Sequence, residues 1–293
     1  MYSFIDVEEV DFDTVVKMLR MAYSFEAWDQ MTEISDSLHK RVQSVYENTL
    51  NPLRAVPVPN LERPLVYYYG YTLLMKGLAL KKLKKFSEAK DCILQYANLS
   101  WFEELDKAGE QEVKEYRFRS RAELFGIELL SGNTRVLGDY ILFLQQHPQE
   151  LLPGMLNILE SANAHNMDIH VTLHMFLQSI WNLPPHILTQ PDIIGSMYFH
   201  SFLDELLQYI MNKEEHGTAV DIILKILDVL KQVENLKVFK KTVAAFEMMR
   251  EQATEAQISK FRSILISYLK EDMHSDDELV LAKTKVSSSA SAC

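Results

Sequence analysis

Apolar residues recur along this chain every three or four positions, and the pattern breaks where prolines gather. All nine prolines fall in three zones: Pro52, Pro57, Pro59 and Pro64; Pro148 and Pro153; Pro184, Pro185 and Pro191. Proline interrupts helix interiors, so long helices can run only between these zones. Glycine is as sparse, at nine residues, and no convincing strand-like alternation is present. The period predicts an all-α chain. Asp11 or Asp13 can cap a first helix with Val15, Leu19 and Ala22 on its apolar face. A turn near Ser24 and Phe25 leads to a second helix through Trp28, Met31, Ile34, Leu38 and Val45.

Within the next block, Leu73, Gly77, Leu80, Phe86, Ala89 and Ile93 fall at the spacings of a tetratricopeptide repeat, a helix-turn-helix unit of about 34 residues. Gly77 would let a second helix cross closely, Phe86 would fill the hairpin corner, and Ile93 would return to the shared core. A weaker match places Gly126 at the position of Gly77, Gly138 at that of Ala89 and Leu142 at that of Ile93. A third runs through Leu203, Leu206 and Ile210, then Ala219, Ile223 and Ile226, with His216 in the corner. Further helices are expected at Leu151 to Ala164, Asp168 to Trp181, Val238 to Gln252 and Glu255 to Leu269. The expected architecture is a tetratricopeptide-like α-solenoid of antiparallel helical hairpins. Its organisation is a hairpin over 1–50, a proline-rich connector over 51–64, a repeat domain over 65–272 and a disordered tail over 273–293.

In such a stack the first helix of each hairpin lines a concave groove. Counting from Gly77, the groove residues are Tyr71, Leu74 and Leu78; from Gly126 they are Ser120, Glu123 and Ile127; the third match adds Ser201, Asp204 and Gln208. The polar members could hydrogen-bond a peptide backbone, with Tyr71 and the leucines taking its side chains. Ordinary solvent-facing helix positions are the plainer reading of the same residues.

Composition narrows the partners. Forty-one acidic against thirty basic side chains leave a net charge of −11, which opposes broad binding to phosphate backbones. Two local basic runs stand out: Lys81, Lys82, Lys84 and Lys85, and Arg117, Arg119 and Arg121. They could receive an acidic peptide or a phosphate, or simply complement a helix end. His170 and His174 stand one turn apart, but HVTLH lacks the glutamate of a zinc-protease motif. No metal site, cofactor or catalytic residue is expected. The two cysteines, Cys92 and Cys293, fit no metal or redox spacing. No signal peptide or membrane-length apolar run is visible, so a cytoplasmic location is expected.

The stretch RPLVYYYGYTLLMKGLALKKLKKFSEAKDCI, with LSWFEELD, ELLSGN and LPGMLNILESAN after it, resembles a group of Firmicute regulators. In these a helix-turn-helix DNA-binding module precedes a tetratricopeptide-type region, an architecture similar to the Rap, PlcR and NprR peptide-pheromone receptors. The resemblance implies a cytoplasmic sensor region within transcriptional or quorum-sensing-type regulation; the absence of a phosphate loop, nucleophile elbow or paired-carboxylate motif separately predicts no enzyme. The sensor would bind a short peptide or a protein partner and could form a homodimer. Only ten residues precede Asp11, so no DNA-reading head is expected there, and direct nucleic-acid binding by this chain is not expected. Two alternatives are a directly DNA-binding regulator and a Rap-like response-regulator phosphatase. Against the first, Trp28 to Tyr46 sets only Lys40 and Arg41 against Asp29, Glu33 and Asp36.

Overall fold

The computed structural model describes residues 10–50, 60–103, 105–183, 193–213, 216–231 and 235–270, with side chains described from Tyr198 onward in the 193–213 segment and from Gly217 in the next. Helices account for nearly all of them, and no strand occurs among the described residues. The chain divides into two compact units: Met1–Leu183 with Gln190–Phe199, and Pro184–Thr189 with His200–Cys293. Much of the connector expected at 51–64, and the tail expected at 273–293, lie outside the described residues.

The first unit contains α1 (Phe12–Ser24), α2 (Trp28–Thr49), α3 (Leu65–Lys82), α4 (Phe86–Ala97), α5 (Lys107–Leu130), α6 (Leu137–Gln146), α7 (Leu151–His165) and α8 (His170–Trp181). Asp11 caps α1 by accepting a hydrogen bond from the Thr14 amide at 2.8 Å. That bond holds its carboxyl below the ordinary aspartate range. Pro64 precedes α3, where a missing N–H breaks no helical bond. Asp106 caps α5 through the Gly109 amide at 2.7 Å.

Four hairpins arise from these eight helices, and each first helix closes in the same way. At the end of α1 the Ala27 amide bonds back to the Ala22 carbonyl at 2.9 Å, with Glu26 at φ 54°. The Lys85 amide returns to Leu80 at 2.9 Å around Lys84 at φ 60°. In α5, Asn133 returns to Glu128 at 2.9 Å around Gly132 at φ 97°, and in α7, Met167 returns to Ala162 at 3.0 Å around Asn166 at φ 55°. Each is a Schellman closure, in which one left-handed residue satisfies the last carbonyls and reverses the chain. Only one of the four uses glycine.

Besides packing on their sequence neighbours, the first helices pack on one another: α1 on α3, α3 on α5, and α5 on α7. Phe12, Leu19, Met31 and Leu38 share one core with Tyr68, Met75, Ala89, Tyr96 and Ile127. The hairpin at 1–50 is therefore continuous with the helices that follow it.

Gly77 faces α4, where an added Cβ would lie 3.4 Å from the Cys92 Cβ, an ordinary contact. Burial pushes the Cys92 thiol up to about 11. Gly126 is more tightly held, because a Cβ there would sit 2.4 Å from the Asn157 Nδ2 and 2.9 Å from its Cγ. Gly138 has nothing within 4 Å, so it marks no helix crossing, although its spacing from Gly126 matches the template.

The second unit holds most of α9 (Ile193–Lys213), α10 (His216–Val229), α11 (Leu236–Met248) and α12 (255–270). Leu203, Leu206 and Ile210 of α9 are buried, as are Ala219, Ile223 and Ile226 of α10. Phe246 and Phe261 stack at 3.8 Å between ring centroids. No helix among the described residues is long and apolar enough to cross a membrane.

Two glycine variants should separate in urea unfolding. Gly126→Ala should lose about 1–3 kcal/mol by displacing Asn157. Gly138→Ala, with open space around it, should be neutral or gain up to about 1 kcal/mol of helix propensity.

Candidate functional site

The residues expected to line a groove on α3 and α5 do not lie on an open surface. Tyr71, Leu74, Leu78, Ser120, Glu123 and Ile127 are all buried. Leu74, Leu78, Glu123 and Ile127 meet where α3 packs on α5, around a closed seam with ≈ 0 Å³ of room for water. The Tyr71 hydroxyl accepts a hydrogen bond from Arg20 Nε at 3.3 Å, and the Ser120 hydroxyl donates to the Arg117 carbonyl of its own helix at 2.8 Å. Ser201, Asp204 and Gln208 belong to the second unit, where Asp204 pairs with Lys241 at 2.6 Å and Gln208 is exposed. The first six form a joint between helices. A helix turns by about 100° per residue, so a face assigned one position out is carried from solvent to core.

At that joint is a buried polar network. Lys81 reaches across from α3 to Glu123 of α5 at 3.0 Å and to Asn157 Oδ1 of α7 at 3.1 Å. The Lys81 and Glu123 side chains are 6% and 9% exposed. The Asn157 amide donates in turn to the Tyr140 hydroxyl at 3.1 Å. Lys82 adds an ion pair to Glu160 of α7. Burial works against the charge on Lys81, but Glu123 and Glu160 outweigh it and hold the ammonium above the usual lysine range. Of the first basic run, Lys81 and Lys82 are thus committed to other helices, whereas Lys84 and Lys85 are exposed at the turn.

An open concavity lies on a different face of α5. Gln111, Lys114, Glu115, Phe118 and Arg119 line it with Gln149 and Glu150 from the short 3-10 turn ahead of α7, enclosing ≈ 400 Å³. The spacing 111, 114, 115, 118, 119 is one face of a helix. Phe118 forms an apolar floor, its ring 5.8 Å from Phe143 and 4.9 Å from His147. Gln111 donates to Glu115 at 3.0 Å. Burial pushes the Glu150 carboxyl up; Arg119 opposes that shift and Glu123 reinforces it. Backbone-competent amides, an apolar floor and charges of both signs suit a polar chain with side chains. The His170 and His174 rings lie 4.4 Å apart on α8, tilted by 52°, and no group of three potential metal ligands occurs among the described residues.

The sequence contained one partial signal for this cleft: of the Arg117, Arg119 and Arg121 run, Arg119 lines it. Gln149 and Glu150 were not visible as site residues, since they enter from a turn defined only by tertiary packing. The chain matches no protein-family model, no curated protein and no solved structure.

Two variants test these electrostatics. Lys81→Met should lose about 3–5 kcal/mol in urea unfolding by stranding Glu123, and Lys81→Met with Glu123→Leu should recover most of it. Glu150→Gln should stabilise at neutral pH. With its folded pKa raised, Glu150 binds more protons folded than unfolded, so its penalty is present above the folded pKa and fades as pH falls through it. The variant's advantage in urea midpoint should therefore close on acidification.

Proposed function

We propose that this chain is a tetratricopeptide-like regulatory protein that binds a peptide or protein partner and performs no chemistry of its own. The carrying observation is the ≈ 400 Å³ cleft between α5 and the turn ahead of α7, two elements from successive hairpins. The solenoid reading is supported by the serial packing of α1, α3, α5 and α7 and by the four alike closures. Recognition is centred on this cleft in place of the α3–α5 seam. Gln111 and Gln149 offer amide donors and acceptors to an extended backbone, and Phe118 receives an apolar side chain.

Such a ligand bridges the third and fourth hairpins, and it favours the arrangement in which both are correctly spaced. Binding then acts as a population shift, altering a partner surface or self-association. A cytoplasmic sensor of the Firmicute peptide-receptor type is the setting this reading fits, by the resemblance of the Leu65 to Leu99 block.

The test is affinity capture from native cytoplasm followed by mass spectrometry. The full chain should retain a specific peptide or protein, and Gln111→Ala with Gln149→Ala should weaken retention at least tenfold with an unchanged helical circular dichroism spectrum. Undiminished retention by that variant would remove the cleft from the proposal.

A further inference from the structure

The charges of α5 are sorted by face. Four of its five carboxylates are engaged, with Glu110 of the first turn left exposed: Glu112 pairs with Arg63, Glu123 with Lys81 and Glu128 with Lys90, while Glu115 accepts from Gln111. Its cations are not. Lys114, Arg117, Arg119 and Arg121 are all exposed, and none makes an ion pair within 4 Å among the described residues. Arg121 lies over the Phe143 ring at 5.5 Å, which orients the guanidinium without neutralising it. In a chain of net charge −11, Lys114, Arg117 and Arg121 thus form a local excess of positive charge, while Arg119 is offset in part by Glu150 and Glu123.

Their placement relative to the cleft is specific. Around α5, Arg119 sits about 100° to one side of Phe118, while Lys114, Arg121 and Arg117 sit about 40–100° to the other. Cations thus flank the apolar floor on both sides. Along the axis, Arg117 and Arg121 are about 6 Å apart. Alternate side chains of an extended strand are about 6.6 Å apart and point the same way. An extended segment lying along α5 therefore meets these two arginines with residues i and i+2.

We infer that the cleft on α5 recognises an acidic peptide segment in extended form, with Asp or Glu at alternate positions facing the flanking cations and an apolar residue on Phe118. This deepens the peptide-binding reading and rests on it. Guanidinium groups suit carboxylates because they can donate two parallel hydrogen bonds. A nucleic-acid strand fits less well, since its phosphates would meet Glu115 and Glu150 in the same cleft, and it supplies no backbone N–H for those carboxylates.

The experiment is selection of displayed random nonapeptides on the full chain, followed by fluorescence anisotropy with the most enriched peptide, its Gln/Asn counterpart and a single-stranded 20-mer oligonucleotide. Enriched peptides should carry Asp or Glu at alternating positions. The acidic peptide should bind at least tenfold more tightly than its neutral counterpart and weaken with added salt. Arg117→Glu with Arg121→Glu, neither of which lines the cleft, should abolish that preference but leave the neutral peptide's affinity within twofold. Enrichment without acidic bias, or equal binding of the neutral counterpart, would overturn the acidic class yet keep a peptide-binding cleft. Absence of any enriched peptide would overturn both. Tighter binding of the oligonucleotide than of the acidic peptide would overturn the inference in favour of a polyanion site.

Discussion

One buried lysine organises the first unit. Lys81 leaves α3, pairs with Glu123 of α5 and hydrogen-bonds Asn157 of α7, so a single ammonium ties three hairpins together. Removing such a charge from water is expensive, and it is tolerated only because both acceptors are fixed. Asn157 is fixed by Tyr140 and by the absence of a side chain at Gly126. The network therefore specifies spacing and rotation of the helices more than it adds net stability. It also departs from a simple stack, in which each unit touches only its neighbours. Lys81 and Lys82 both reach α7, two hairpins along, so these hairpins are coupled beyond nearest-neighbour packing.

The turns are the second constraint. Four Schellman closures hold the hairpins, but Glu26 and Lys84 take the left-handed conformation without being glycine or asparagine. Each carries a steric cost of about 1–2 kcal/mol. The buried joint at Lys81 forms an inner seam, and the strained turns at Glu26 and Lys84 stand at the hairpin tips. The cleft is built from α5 and a 3-10 turn, beside the seam and outside it.

Local chemistry was well written in the sequence. The cap at Asp11, the restart at Trp28, the barrier at Pro64 and the opening of α4 at Phe86 all lie where residue type and apolar period place them. The apolar stripes of Leu203 to Ile210 and Ala219 to Ile226 are buried as their period implies. What failed to carry over was azimuth. Helix α3 is apolar nearly all round, with buried residues on every face from Val66 to Lys81, so its sequence does not say which face is inside. Assigning Tyr71, Leu74 and Leu78 to a groove depended on a template fitted at Gly77, and at that site an alanine would also fit. Glu123 misleads for a related reason: a carboxylate reads as surface, and only Lys81, 42 positions away, makes it an interior residue. Gln149 and Glu150 had no period to announce them.

Cys92 has a use that its burial creates. Its Cβ faces Gly77 at the α3–α4 contact, the side chain is buried, and its thiolate is scarce at neutral pH. Electrophiles can reach it only when that hairpin parts, so the rate of alkylation reads out how often the helices separate. The molecule carries its own clock for local breathing, placed one helix away from the seam that Lys81 locks.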